Sequence, residues 1–271
     1  MKRFLLLGEN VQHSRSPMLH RDAYAQLDVN ASYEARSITA SELPGYIEAL
    51  RAGHWDGFNV TAPFKFAAST LCDREDGPVV NTLWRAEDGA VCGANTDIAG
   101  LRAMLSEYAP EVPAGAKAYV MGAGATALSA VEALRAHGYV RVLMVARSME
   151  RAQLAADRIG SVGLAPWGEH HDAGAHVIVQ ATSAGASESL EALQWTATAP
   201  KPVVLDVRYG HGPSVFGAKL RADGYQVYDG TRMLAVQAAE AVRLWFGRSV
   251  DAERMGVVAF GEHRWRETRK R

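Results

Sequence analysis

Short apolar runs along this chain alternate with longer stretches in which apolar residues recur every three or four positions. Phe4-Leu5-Leu6-Leu7, closed by Gly8, predicts a buried strand. Beyond a polar loop, residues 17–27 place Met18, Ala23 and Leu27 on one side of a helix, with Pro17 at its first position and Ser16 as its N-cap. Residues 31–35 predict a second strand, and residues 41–52 a second helix opened by Ser41 and Glu42. Residues 57–65 then read Gly-Phe-Asn-Val-Thr-Ala-Pro-Phe-Lys. Apolar Phe58 and Val60 alternate with polar Asn59 and Thr61, as an edge strand would, so both polar side chains face one way. Pro63 cannot donate to a ladder, so the strand should stop about there and deliver Lys65 just past the break. A helix over 64–71 and a strand-like pair at 79–85 and 89–92 complete the pattern of an open α/β sheet.

The rhythm changes once Asn95-Thr96-Asp97 opens a helix over residues 98–108 and two prolines with a glycine mark a connection at 110–115. A strand at 116–121, a glycine turn at 122–126, a helix at 127–137 and a strand at 140–145 follow. Further strands at 177–180 and 203–207 continue the grammar of a doubly wound parallel sheet. The last long helix, 230–246, turns Met233, Leu234, Val242 and Leu244 to one surface, and the basic stretch 263–271 is expected to be a solvated, frayed end. The expected class is α/β with two domains. One is an open α/β domain over residues 1–100, completed by 231–271, and the other is a Rossmann-type doubly wound domain over 101–230.

Composition narrows the partners. With 271 residues, 48% of them hydrophobic, the chain can bury a sizeable core in about two domains. Its 29 Lys+Arg balance 30 Asp+Glu, for a net charge of -1, which argues against nucleic acid as a partner. The apolar run at the amino terminus falls short of the roughly 7–15 residues of a signal sequence, and no run nears the ~18 of a membrane span. Cys72 and Cys92 are not spaced like a zinc site or a redox pair, and they fit a reducing cytoplasm, with a single disulfide left open. These features predict a cytoplasmic protein, monomer or homodimer, acting on a small molecule without membrane or nucleic acid.

The glycine turn carries the clearest chemistry. Gly122 permits a tight turn, and Gly124 lets the backbone approach a pyrophosphate seated on the following helix N-terminus, with Ala123, Ala125 and Thr126 in the same turn. Ala127 closes a GxGxxA pattern between a predicted strand and a predicted helix, the context such a motif requires. An NAD site places an acid at the end of the next strand; here Ala146 stands there, followed by Arg147, Ser148 and Arg151, which favours the 2′-phosphate of NADP. A nicotinamide cofactor implies hydride transfer and hence a proton-handling group elsewhere. Lys65 is the candidate, with Asp97 as a carboxylate to hold it; alone, Asp97 reads better as the cap of its helix. Ser14 and Ser16 flank Arg15 on one side of an extended loop, as a carboxylate pocket wants. The ligand-like run His170-His171-Asp172 lies in a loose stretch, and no metal site is expected.

Taken together these residues resemble the shikimate dehydrogenase family from the amino terminus to beyond Gln237. The segments that carry the likeness are His-Ser-Arg-Ser-Pro at 13–17, Asn-Val-Thr-Ala-Pro-Phe-Lys at 59–65, Asn81-Thr82, and Asn-Thr-Asp-Ile-Ala-Gly at 95–100. Ala-Arg-Ser-Met-Glu-Arg at 146–151, Ala-Thr-Ser-Ala-Gly at 181–185, Tyr209, and the Gly-x-x-Met-Leu-x-x-Gln pattern at 230–237 continue it in family order. The resemblance implies a substrate domain and an NADP domain, and the NADP-linked interconversion of shikimate and 3-dehydroshikimate in aromatic amino acid biosynthesis. It implies Lys65 and Asp97 as the catalytic pair, and Ser14, Ser16, Thr61, Asn81, Tyr209 and Gln237 as substrate contacts. On the cofactor side it implies the turn 122–126 with Arg147, Ser148, Arg151, Thr182, Val207 and Gly230. The chain departs from the family pattern at the third glycine of the turn, at Ala146 where Asn is usual, in Gly8-Glu9-Asn10 without the common proline, and at Gly210 where proline often stands. Those departures keep open a paralogue acting on quinate, an aminoshikimate or another ring acid, and a non-catalytic NADP-binding sensor on the same fold is a separate alternative.

Overall fold

The computed structural model describes residues 1–160, 162–166, 174–182, 200–210 and 214–267. His170, His171 and Asp172 lie outside the described residues, as do residues 183–185 of the Ala-Thr-Ser-Ala-Gly segment. The chain divides into two compact units, Met1–Asp97 with Leu234–Trp265, and Ile98–Met233.

The first unit is built on β1 (Lys2–Gly8), β2 (Ala31–Ser37), β3 (Gly57–Val60), β4 (Arg74–Glu75), β5 (Thr82–Arg85) and β6 (Val91–Ala94), in the order β2-β1-β3-β5-β6-β4. The β1 strand pairs in parallel with β2 and β3, whereas β5 runs antiparallel to both β3 and β6, so the sheet is mixed. In it β3 is an interior strand with every residue buried, not the edge its alternation suggested. Phe58 and Val60 join Leu5 and Leu7 against Ile47 and Leu50 of α2 (Leu43–Arg51) and Ala68 of α3 (Lys65–Leu71). The other face is closed by α1 (Ser16–Leu27) and by the carboxyl-terminal helices, where Phe4 stacks on Trp245 at 4.3 Å. The polar positions of β3 therefore point into protein, and their alternation with Phe58 and Val60 reflects a buried polar network. The bond between Ala62 and Pro63, just past β3, is cis.

Local corrections follow from caps. Ser16 is not an N-cap: it lies inside the first turn of α1, behind Arg15, and its own backbone N–H donates to Ser14 Oγ at 3.1 Å. The second helix starts at Leu43 and not at Ser41, because Glu42 turns back to accept from the backbone N–H of Thr39 at 2.8 Å. The carboxyl-terminal end is not frayed through residue 267. It forms a short helix, Glu262–Glu267, whose Trp265 is buried among Met255 and Ala259 and donates from Nε1 to Glu253 Oε2 at 2.9 Å. Burial of one indole outweighs the charge of its neighbours.

The second unit has six parallel strands, β7 (Lys117–Met121), β8 (Arg141–Ala146), β9 (Gly163–Pro166), β10 (Ala175–Gln180), β11 (Val203–Asp206) and β12 (Val227–Asp229). Their order, β12-β11-β10-β7-β8-β9, is the 3-2-1-4-5-6 order of a Rossmann sheet, with its switch point beside β7. The interior strands are near-continuous apolar runs, as expected where helices cover both faces. Among the described residues, no helix is long and apolar enough to cross a membrane.

Candidate active site

Lys65 is the first residue of α3, shortly after the end of β3. Asp97 opens the helix α4 (Asp97–Tyr108), shortly after β6. Because β5 is antiparallel to both β3 and β6, those two strands run the same way and their following loops lie at the same end of the sheet. There Lys65 Nζ donates to Asp97 Oδ2 at 2.5 Å, with both side chains about nine-tenths buried. The other carboxylate oxygen, Oδ1, accepts from Asn81 Nδ2 at 2.9 Å. Asp97 thus engages the lysine through one carboxylate oxygen and the asparagine through the other.

The asparagine is itself held. Its Oδ1 accepts from the backbone N–H of Thr96 at 2.8 Å and lies 3.1 Å from the Thr96 hydroxyl. Thr96 Oγ1 also reaches Gln237 Oε1 at 3.3 Å, and Gln237 Nε2 donates to Leu234 O at 3.1 Å. Asn59 Nδ2 donates to Thr82 Oγ1 at 2.9 Å, while Tyr33 donates to Asn59 Oδ1 at 2.8 Å. The structure therefore unites Lys65, Asp97, Asn81 and Gln237 in one buried network. Ser14 and Ser16 form a separate pair with their hydroxyls 3.2 Å apart, and Thr61, half-buried, is tied by its backbone N–H to Leu7 O at 2.9 Å. Tyr209 belongs to the second unit and is 38% exposed. Asn59, Thr82, Thr96 and Tyr33 were given no role by the sequence, although Asn59, Thr82 and Thr96 sit inside its motifs. Beneath them His20 stacks on Tyr33 at 3.9 Å; burial pulls its pKa down to about 3, with the Asn59 side chain opposing, so the ring is neutral.

At the carboxyl ends of the second sheet the predicted cofactor residues stand in register. Gly122 follows β7 with φ +115°, and a Cβ there would meet Ala181 O at 3.0 Å, so glycine answers both a left-handed backbone and a close approach. Gly124 is the N-cap of α5 (Ala125–Ala136), which starts earlier than expected because Ala125 and Thr126 already form its first turn. The backbone N–H of Ala181 donates to Met121 O, and both the N–H and the hydroxyl of Thr182 donate to Gln180 Oε1, the latter at 2.8 Å. Val207 N–H donates to Gln180 O at 3.1 Å, and a Cβ on Gly230 would strike Val207 O. The turn and residues 182, 207 and 230 thus lie along β7, β10, β11 and β12 in that order. Arg147 follows β8 and is exposed; Ser148 caps α6 (Met149–Ile159), accepting from Arg151 N–H at 3.2 Å. Asp206, at the end of β11, accepts from Arg208 N–H at 3.1 Å and from the Ser214 hydroxyl; burial pushes its carboxyl up and those donors pull it back. Among the described residues no cluster of His, Cys, Asp and Glu could hold a metal ion.

Comparison with known proteins adds the following. Residues 6–81 match the family described as the shikimate dehydrogenase substrate binding domain, and residues 230–255 match the shikimate 5′-dehydrogenase C-terminal domain. The NADP(+)-dependent shikimate dehydrogenase of Rhizobium meliloti (strain 1021) is 33% identical over 252 residues, covering 89% of this chain and 87% of that protein. Its counterpart in Mesorhizobium japonicum is 34% identical over 256 residues, covering 91% of each. The crystal structure of shikimate 5-dehydrogenase from Thermus thermophilus in complex with NADP(H) and shikimate superposes with a TM-score of 0.81 at 31% identity, covering 96% of this chain and 98% of that one.

Proposed function

The chain belongs to the shikimate dehydrogenase family, and on that footing we propose that it catalyses the reversible, NADPH-dependent reduction of 3-dehydroshikimate to shikimate. The observation that carries the reading is the buried Lys65–Asp97 pair at 2.5 Å, flanked by the carboxamides of Asn81 and Gln237. Reduction adds hydride to a carbonyl carbon and a proton to its oxygen, so the site must supply a positioned acid. Lys65 fills that role, giving a proton to the oxygen as charge develops there and taking it back from the hydroxyl in the reverse direction. Asp97 fixes where Nζ sits. The amide and hydroxyl groups of Asn81, Gln237, Thr61, Ser14 and Ser16 suit a small ring acid bearing hydroxyls and one carboxylate. Tyr209 is assigned to the substrate on the family motif alone.

The second unit fits NADP. Its parallel order, the left-handed Gly122 beside Ala181, and the side-chain-free cap Gly124 at the start of α5 form a cradle for a pyrophosphate. Arg147, Ser148 and Arg151 would hold the 2′-phosphate, and Thr182, Val207 and Gly230 would border the remainder. When bound, the cofactor supplies the hydride. The free thiols of Cys72 and Cys92 support a cytoplasmic, reducing setting. Initial rates followed by NADPH absorbance with shikimate or quinate, each with NADP or NAD, test the reading. Turnover is expected chiefly with shikimate and NADP. Rapid turnover chiefly with quinate would move the assignment to a paralogous activity, and binding of NADP with no turnover of any ring acid would leave only a nucleotide sensor.

A further inference from the structure

We propose that Thr82 is a positioning residue of this site: its hydroxyl sets the orientation of the Asn81 carboxamide and, through Thr96, that of Gln237. The inference rests on the dehydrogenase reading above and deepens it.

Thr82 is fully buried, at 0% exposure, so it acts on a bound molecule only through its neighbours. The β3–β5 register sets Asn59 directly opposite Thr82, so both side chains leave the same face of the sheet. The backbone carbonyl of Asn81, an acceptor only, lies 3.2 Å from one end of the Asn59 carboxamide and so makes that end the amide. That Nδ2 donates to it and to Thr82 Oγ1 at 2.9 Å, and Tyr33 donates to Asn59 Oδ1 at 2.8 Å. The single proton of Thr82 has two acceptors in range, Asn81 Oδ1 at 3.0 Å and Thr96 Oγ1 at 3.1 Å. The single proton of Thr96 likewise has Asn81 Oδ1 at 3.1 Å and Gln237 Oε1 at 3.3 Å.

Counting lone pairs decides the assignment. Asn81 Oδ1 accepts two hydrogen bonds, and the Thr96 backbone N–H takes one of them. When Thr82 fills the second, Thr96 keeps its hydroxyl proton for Gln237, and both carboxamide oxygens are served. Without the Thr82 hydroxyl, Thr96 must choose between Asn81 and Gln237. Either choice leaves a buried carbonyl short of a donor, next to the Asn81–Asp97–Lys65 chain. One hydroxyl thus orders two carboxamides that the reading places against the substrate.

The test compares Thr82→Val, which keeps shape and removes the hydroxyl, with Thr82→Ser, which restores it. Thr82→Val is expected to lower kcat/KM for shikimate about ten- to fifty-fold, with KM for NADP unchanged within about two-fold, and Thr82→Ser to recover to within about three-fold of the parent. On an Asn81→Ala background, Thr82→Val should cost at most about two-fold more, since the lever it acts through is gone. In the ligand-free protein, the Asn81 side-chain amide protons should exchange slowly in the parent and in Thr82→Ser, and rapidly in Thr82→Val. Equal losses in the Val and Ser variants, full activity of Thr82→Val, or fully multiplicative losses with Asn81→Ala would each overturn the proposal. Should Thr82→Val not fold, Thr82→Ala takes its place in every arm. A parent that turns over no shikimate would sink the dehydrogenase reading instead, while the amide exchange still decides whether Thr82 orders Asn81.

Discussion

Lys65 and Asp97 are 8% and 4% exposed and are held by side chains from separate strands and loops, whereas Gly124 and Arg147 are exposed at the ends of theirs. In the first unit the candidate chemistry is wired before any ligand arrives: Tyr33, Asn59, Thr82, Thr96 and Asn81 each fix the next group. In the second the candidate binding groups are backbone turns and helix starts, and the side chain of Ser148 is spent on capping α6. The contrast follows from the two tasks. Proton transfer requires a group held to a fraction of an ångström, while a dinucleotide is gripped by many weak contacts that can close around it.

The contrast can be sharpened from the nucleotide side. Arg147→Ala removes an exposed cation and touches no part of the buried network, so kcat at saturating NADP should stay within about two-fold while KM for NADP rises about ten-fold or more. The same change should erase much of the preference for NADP over NAD. Initial rates with both cofactors check this, and an unchanged preference would remove Arg147 from the cofactor site.

A smaller effect, on stability, probes the buried side. His20 sits neutral under Tyr33 with its pKa lowered to about 3, against 6.5 when unfolded. The unfolded chain therefore takes up a proton between those values that the folded chain refuses. This contribution to stability is whole above pH 6.5 and drains as pH falls toward 3. Between about pH 7 and about pH 5 the loss should be about 2 kcal/mol. Urea unfolding at the two pH values measures it, and His20→Leu should flatten the difference; a parent whose stability does not change over that range contradicts a neutral His20.

Much of the architecture was legible because its signals are local. The glycine turn, the missing acid at Ala146 and the apolar runs of β7, β8 and β10 are read within a few residues of one another. Lys65, Asp97 and Asn81 were named from motif segments, yet that they meet depends on pairings between β3, β5 and β6, which no local pattern encodes. For the same reason β3 read as an edge strand: alternation tells that two faces differ, not what covers each. The short strands β9 and β12, Gly163–Pro166 and Val227–Asp229, escaped because so few residues carry no period. Trp265 escaped because its basic neighbours hid the one apolar anchor of its helix.

The central claim is that Lys65, held by Asp97, handles the proton of the reaction. Lys65→Ala tests it most directly, read as kcat and as shikimate affinity by calorimetry on the same preparation. Removing one member of a buried pair costs on the order of 3–5 kcal/mol, so retained shikimate binding also certifies the fold. The account predicts a fall in kcat of at least about 100-fold with affinity changed far less. A variant that turns over shikimate as fast as its parent would contradict it.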